Sequence, residues 1–383
     1  MADVEEEGFK SAWQTVSQWG QMRMSPTDLA DVRYDAFLMN GQTNQQNWTG
    51  LFKPGERVRL RFINASAMSM YDVRIPGLKM TVVQADGQYI EPVEIDEFRF
   101  AVAETYDVIV TPEADRAYTI AAESIDRSGF ALGTLAPRQG MKGPAPEKRP
   151  RSLLTMADMG HDMDHDGEEM NHSEMKMDHS GHNMNHDDMD MDHSGHDMSD
   201  SDTAKMQSGW ADAGTPKGHK ALQYSDLRAL KTQPDQRPPA REIDVVLGGN
   251  MERYIWTING RKFSDPAFEP FQLHYGERVR LSFKNNTMMA HPMHLHGMFV
   301  QLENGQPTEK LPNKHTVLVP PGDSYSVLLT ADEPGEWAFH CHLLYHMAAG
   351  MMSKVVVAEY ADDLPDEDAT TLDSEMGGHH DHH

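Results

Sequence analysis

Cysteine is almost absent from this chain: Cys341 is the single one among 383 residues. An intramolecular disulfide framework is therefore excluded, and cysteine usage says nothing about compartment. Histidine is missing from the whole first stretch, since His161 is the first of 21. No residue before it offers an imidazole to a metal. No apolar run is long enough to span a bilayer. The opening Met1-Ala2-Asp3-Val4-Glu5-Glu6-Glu7 lacks the basic start and apolar core of an export signal. Basic residues are outnumbered, 34 Lys and Arg against 60 Asp and Glu, for a formal net charge of −26. Such an acidic surface concentrates cations and repels phosphates, so nucleic acid is not an expected partner.

What is present gathers around the lone thiol. His340-Cys341-His342-Leu343-Leu344-Tyr345-His346 is followed by Met351. One thiolate, two imidazoles and a distant thioether make the donor set of a blue-copper electron-transfer site. A second cluster, His291-Pro292-Met293-His294-Leu295-His296, supplies further imidazoles. Glu336-Trp337-Ala338-Phe339 leads into the cysteine with strand-like composition, and successive side chains on a strand point to opposite faces. His340 and His342 then share one face and Cys341 the other. The same parity puts His294 and His296 on one side and His291 on the opposite side. Two metal environments follow: Cys341, His291, His346 and Met351 in one, and His294, His296, His340 and His342 in the other. The plainer alternative is one zinc site built from Cys341 and some of the histidines. Zinc requires neither the alternating parity nor the downstream methionine.

HxxHxH followed by HCHxxxHxxxxM resembles the C-terminal copper signature of multicopper oxidases, and the Met-rich insert described below resembles their periplasmic copper-resistance branch. The resemblance covers roughly residues 20–142 and 240–360. Carried over by position, it implies His291, Cys341, His346 and Met351 as type 1 copper ligands, with Met347 and Met352 as less well spaced rivals for the axial place. It implies His294 as a type 2 ligand and His296, His340 and His342 as type 3 ligands. It also implies a periplasmic setting and Cu(I) oxidation at the type 1 site. Cys341 would pass electrons through His340 and His342 to a trinuclear cluster that reduces oxygen. One departure matters. Family members share that cluster between a first and a last cupredoxin domain, and the first contributes two further His-x-His pairs. Residues 1–160 contain no histidine, so half of the implied cluster ligands are missing. The expectation is an oxidase chain missing its first domain, either a fragment or a shortened form, whose histidines another polypeptide or the lost domain would have to supply. The alternative is a copper-sequestering protein with a lone type 1 site and no turnover.

An internal repeat sets the domain count. Gly55-Glu56-Arg57-Val58-Arg59-Leu60 recurs as Gly276-Glu277-Arg278-Val279-Arg280-Leu281. Carried on at that offset, His291, His294 and His296 fall opposite Met70, Val73 and Ile75. A slightly smaller offset, taken from the later Glu104-Thr105-Tyr106 and Asp323-Ser324-Tyr325, puts Ala121-Ala122-Glu123 in the place of His340-Cys341-His342. The first half thus repeats the fold without the ligands. Short runs of alternating apolar residues at 58–63, 79–83, 98–102, 106–110, 279–283 and 324–329, broken by Gly, Pro and Asn turns, predict an all-β chain. The expected architecture is two cupredoxin-like Greek-key β-sandwich domains joined by a long segment. The boundaries read as a lead-in over 1–30 with Trp13 and Trp19, a ligand-free domain over 31–142, a linker over 143–240, a copper-binding domain over 241–360 and an acidic, His-ended tail over 361–383.

Within the linker, residues 156–198 hold ten methionines and eight histidines with almost no aliphatic side chains. Met177-Asp178-His179-Ser180-Gly181-His182-Asn183-Met184 returns as Met191-Asp192-His193-Ser194-Gly195-His196-Asp197-Met198. Low hydrophobicity with high charge does not offset the entropy of ordering, so the segment is expected to be disordered without metal. Thioethers select Cu(I), and imidazole with carboxylate suits Cu(II). Met163, His165, Met177, His179, His182, Met184, Met191, His193, His196 and Met198 are therefore the candidate auxiliary copper ligands. A solvated acidic linker is the plain alternative. His219, His274 and His315 have no partner at ligand spacing and read as ordinary strand or loop residues. Met288, Met289, Met293 and Met298 read mainly as core.

Overall fold

The computed structural model describes residues 29–150, 214–250 and 253–359. The Met/His-rich insert with all ten auxiliary candidates, both lead-in tryptophans and the tail lie outside the described residues.

Alternating side chains build two sandwiches. In the first, β2 (Val58–Ile63), β7 (Thr105–Val110), β4 (Met80–Ala85) and β5 (Gln88–Ile95) lie side by side in that order. Facing them are β1 (Trp48–Leu51), β9 (Phe130–Ala136), β8 (Tyr118–Ser124), β3 (Tyr71–Arg74) and β6 (Glu97–Phe100). Phe98, Tyr106, Ile95 and Ile120 fill the space between. In the second, one sheet runs β11 (Ile255–Ile258), β10 (Arg241–Asn250), β13 (Arg278–Asn285), β18 (Ser324–Thr330), β15 (Val300–Leu302) and β16 (Asn313–Lys314). The other runs β12 (Phe271–His274), β20 (Met352–Ala358), β19 (Gly335–Cys341), β14 (His291–Leu295) and β17 (Thr316–Val319). The strand read over 98–102 ends at Phe100. The Ala101 N–H turns aside to the Glu104 carboxylate (2.9 Å), and Ala103 takes a left-handed φ of 67°.

The pairing register corrects the repeat by one residue. Asn64 donates to the Ser69 carbonyl five residues on, whereas Asn285 donates to the Met289 carbonyl four residues on. The first loop is thus one residue longer, and the offset falls from that point. His294 pairs with His340, and Ala121, which takes the place of His340, pairs with Arg74. The counterparts of His291, His294 and His296 are therefore Tyr71, Arg74 and Pro76, not Met70, Val73 and Ile75. Where the second half has His294 near His342, the first has an ion pair between half-buried Arg74 and fully buried Glu123 (2.7 Å).

The same sheet holds Asp72 between Arg99 (2.9 Å) and Arg127 (2.7 Å). Burial alone pushes this carboxyl up, but the two guanidiniums overcome it and hold it down at about 2. The group is depressed in the fold relative to the unfolded chain. Its contribution, on the order of 2 kcal/mol, is therefore full above the unfolded value near 3.8 and is lost as pH falls through about 2. Asp72→Asn is expected to flatten the stability profile between pH 4 and pH 2 (about two units) in urea titrations. An unchanged slope would refute this.

The halves share one core. Leu29, Met68, Met70 and Ile125 from the first join the cluster that contains Trp256, Cys341 and Met351. The short helix α1 (Leu344–Ala348), which carries His346, is tied to the first sandwich where the Leu344 N–H donates to the Ala67 carbonyl (3.0 Å). Met68 Sδ accepts the next N–H, from Tyr345 (3.3 Å). The first sandwich thus braces the turn that brings His346 back toward Cys341.

Candidate metal centre

β14 and β19 lie side by side, with Met293 opposite Cys341 and His294 opposite His340. Strand parity sorts the ligand-type side chains onto two faces. Inward, His291 and Cys341 are completely buried, and α1 returns His346, also fully buried, to the same spot. Outward, His294 and His342 are half-buried and His296 is exposed at the end of its strand. Met351 is fully buried, and its carbonyl accepts the Cys341 N–H (3.1 Å). Met347 and Met352 are only half-buried. Met289, Met293 and Met298 are buried in the core.

The inward group is chemically specific. Cys341 Sγ lies 3.6 Å from His291 Nδ1 and 3.9 Å from His346 Nδ1, and the two nitrogens are 3.1 Å apart. The far side of each ring is already committed. His346 Nε2 donates to the Asp31 carboxylate (2.6 Å), which also accepts from Tyr254 Oη (2.7 Å). His291 Nε2 meets Thr287 Oγ1 (2.7 Å), and the Thr287 hydroxyl proton has Asn285 Oδ1 (2.8 Å) to go to. Assigned from this network, both Nε2 atoms carry the proton and both Nδ1 atoms present lone pairs. Two facing lone pairs beside a thiol repel one another unless a cation sits among them. Burial, together with the neighbouring His346, holds His291 well below the usual imidazole range, so it stays neutral. Burial pushes the Cys341 thiol up, so ionising it requires a bound cation's charge. The donor set therefore fits a soft metal ion. Among the described residues it is the one group of His, Cys and carboxylate side chains that converges in this way.

The outward group is looser. Ring centroids of His294 and His296 are 4.7 Å apart, those of His296 and His340 5.3 Å, and those of His340 and His342 5.4 Å. His294 Nδ1 donates to the His315 carbonyl (2.7 Å), and His340 Nδ1 to the Cys341 carbonyl (3.0 Å). Both rings are thereby turned with Nε2 outward, and the Nε2 atoms of His296 and His340 lie 3.1 Å apart. His342 Nδ1 is buried without a hydrogen-bond partner. Burial lowers His294 to about 4 and lowers His340 and His342 as well, leaving neutral, metal-ready imidazoles at neutral pH. An orphaned buried nitrogen and Nε2 atoms turned outward on one face suit bound metal.

Several contributors carry no sequence mark. The ring of His315, read above as ordinary, lies 5.1 Å from that of His294, and its carbonyl orients that imidazole. Trp256, fully buried, stacks on His346 at 3.9 Å and meets His291 edge-on at 5.1 Å. Asp31, Tyr254 and Thr287 hold the inner rings from behind. His274 is exposed on β12.

Sequence profiles of the multicopper oxidase family match residues 10–137 and 236–361. Copper resistance protein A of Escherichia coli is 49% identical over 93% of this chain and 65% of its own length. A copper resistance protein A homolog of Pseudomonas syringae pv. tomato is 50% identical over 93% of this chain and 64% of its own. The chain thus spans just under two thirds of these relatives. Among solved structures, the McoA multicopper oxidase from Aquifex aeolicus overlays with a TM-score of 0.53 at 18% identity, covering 87% of this chain and 61% of that one. A laccase from Botrytis aclada gives 0.52 at 17% identity, covering 81% and 53%; at these identities the likeness is one of fold. The two profile matches take in both sandwiches, and the chain belongs to the multicopper oxidase family.

Proposed function

We propose that this chain carries the electron-accepting centre of a copper-resistance oxidase, with His291, Cys341, His346 and Met351 as type 1 ligands. The observation that carries this reading is the convergence of two bare Nδ1 atoms on one buried thiol. On the outward face, His294 would serve a type 2 ion and His296, His340 and His342 type 3 ions. Copper held at these places would supply one-electron chemistry, with Cu(I) as the substrate oxidised and oxygen reduced. The chain's own residues set its conditions. Cys341 is joined by single peptide links to His340 and His342, so both groups hang on one backbone. Burial excludes water from the thiol, Asp31 and Thr287 fix ring tautomers, and the His315 carbonyl orients His294.

The domain reading is a ligand-free sandwich over 31–142 and a copper sandwich over 241–360. The intervening Met/His-rich insert would collect copper and hand Cu(I) to the type 1 site. By family, the setting is periplasmic. Residues 1–160 have no histidine, so the remaining cluster ligands would come from a polypeptide outside them. That same absence favours a second reading for the chain alone, a copper-sequestering protein with a type 1 site and no turnover.

The deciding experiment loads purified protein with copper, dialyses it, and records visible absorption, copper stoichiometry and oxygen uptake on Cu(I). Intense blue thiolate absorption with oxygen uptake supports the oxidase. Blue absorption without uptake selects the sequestering reading. Copper held with no blue absorption refutes the type 1 assignment. Asp31→Asn removes the charge behind His346 and is expected to weaken copper retention about 10–100-fold in chelator competition. Unchanged retention would show that Asp31 does not position the ligand.

A further inference from the structure

The indole of Trp256 sits in a slot that two glycines keep open. The residue lies on β11, opposite Gly249 of β10, and is completely buried. A Cβ at Gly249 would come within 2.5 Å of the indole ring, so the strand pair closes here only over a glycine. On the other side the Trp256 N–H meets the Ala349 carbonyl at 3.4 Å, and a Cβ at Gly350 would lie 2.6 Å from the Trp256 carbonyl. Gly350 leads directly into Met351. Trp256 therefore packs on the rings of His291 and His346 and on the backbone that delivers the methionine.

The first half separates the contacts that belong to the sandwich from those that belong to the metal centre. Asn40-Gly41 and Asn259-Gly260 make the same tight turn, with left-handed φ of 48° and 73° in one and 51° and 74° in the other. The bridges Met39–Gln42 and Ile258–Arg261 close them. Phe37 stands three residues before the first asparagine, as Trp256 stands before the second. Phe37 meets Tyr71, the counterpart of His291, edge-on at 5.7 Å, and Trp256 meets His291 edge-on at 5.1 Å. That edge contact is common to both halves and is packing. The face contact is not. In the first half the chain leaving β8 passes Phe37 at Gly129, where a Cβ would be 2.8 Å from the ring. In the second, the chain leaving β19 forms α1 and lays His346 on the indole face, with centroids 3.9 Å apart and planes 26° from parallel.

We infer that Trp256 is a positioning residue that holds down the reduction potential of the inner copper by stacking on His346. The inference rests on the type 1 assignment of His346. An imidazole that ligates through Nδ1 carries more positive charge when the ion is Cu(II) than when it is Cu(I). An electron-rich indole face lying against that ring favours the more positive state, and burial strengthens the attraction. Asp31 acts on the same ring from its edge, through Nε2, with the same sign. Both contacts make the inner ion a weaker oxidant, and so a readier donor of its electron toward the outer group.

The test poises the copper-loaded full chain with ferricyanide and ferrocyanide and reads the blue absorption of wild type, Trp256→Phe and Trp256→Leu. Phenylalanine is what the first half carries at this place, so that variant keeps the edge contact and is expected to fold. Its equilibrium should move about threefold toward Cu(I), a rise of about 30 mV, and that of Trp256→Leu about tenfold, or about 60 mV. In metal-free protein the indole's ring current should shift the carbon-bound protons of His346 upfield in NMR spectra, less with phenylalanine and not at all with leucine. Packing alone would weaken retention of Cu(I) and Cu(II) equally and leave the potential where it is. An unmoved or lowered potential in Trp256→Phe overturns the inference, and so does a wild type without the ring-current shift. A wild type without blue absorption sinks the type 1 assignment, and this inference with it.

Discussion

Lys314→Met is expected to destabilise the protein by about 3–5 kcal/mol, read as a fall in urea midpoint at constant slope. Lys314 is completely buried, and Nζ sits 3.0 Å from both Asp86 and Glu104 across the junction of the two sandwiches. Burial alone lowers its ammonium's pKa, yet the two carboxylates more than reverse that, so it is charged in the fold. Methionine fills the volume and removes the charge, leaving two buried carboxylates facing each other. The Tyr224 hydroxyl donates to Glu104 (2.6 Å) but does not neutralise it. Adding Glu104→Gln to Lys314→Met should restore part of the loss, because it removes one of the stranded anions. The effect should also reach the outer histidines selectively. Asp86 accepts the backbone N–H groups of His315 and Thr316 (both 3.1 Å), and the His315 carbonyl holds His294. The inner group of His291, Cys341 and His346 is anchored elsewhere and should retain its metal. A stability loss below about 1 kcal/mol would mean that the ion pairs are no more than surface-like.

Much of this site is legible in the sequence because its chemistry is written at short range. The interval between His340 and His342 is one strand repeat, so parity alone separates Cys341 from its neighbours. The strands at 58–63 and 279–283 follow from alternation, and the repeat follows from a shared six-residue opening. What escaped depends on length or on distance. A single extra residue between Asn64 and Ser69 displaced the inferred counterparts of the histidines by one position, which on a strand exchanges the two faces. Asp31 lies 315 residues from the histidine it holds, and Thr287 and His315 act through a hydroxyl and a backbone carbonyl. None of these stands at ligand spacing, and their roles arise only when the first sandwich and the loops close over the second. The core shared by the halves was invisible for the same reason. Met68 and Ile125 look like members of their own sandwich until the fold sets them against the other.

Cys341→Ser carries the other large expected effect, complete loss of blue thiolate absorption from copper-loaded protein and one fewer tightly held copper per chain. Serine is nearly isosteric, so the core around Trp256 and Phe339 should keep its shape and the melting temperature of metal-free protein should change little. What changes is the donor. A thiolate is a soft, strongly covalent ligand, and a buried hydroxyl is a poor one that does not ionise here. His291 and His346 remain with bare Nδ1 atoms 3.1 Å apart, so the variant should still bind a borderline ion through two imidazoles, more weakly and without colour. That residual binding separates loss of the sulfur from loss of the fold. The outer histidines provide an internal control, since His294, His296, His340 and His342 do not contact the sulfur in the described hydrogen bonds. Any copper they hold should survive in the variant. If the blue absorption persists, the colour arises elsewhere in the chain and the inner group is not the type 1 site. If metal is lost from both faces together, the two groups assemble as one unit, and the single peptide links on either side of Cys341 would be the structural reason.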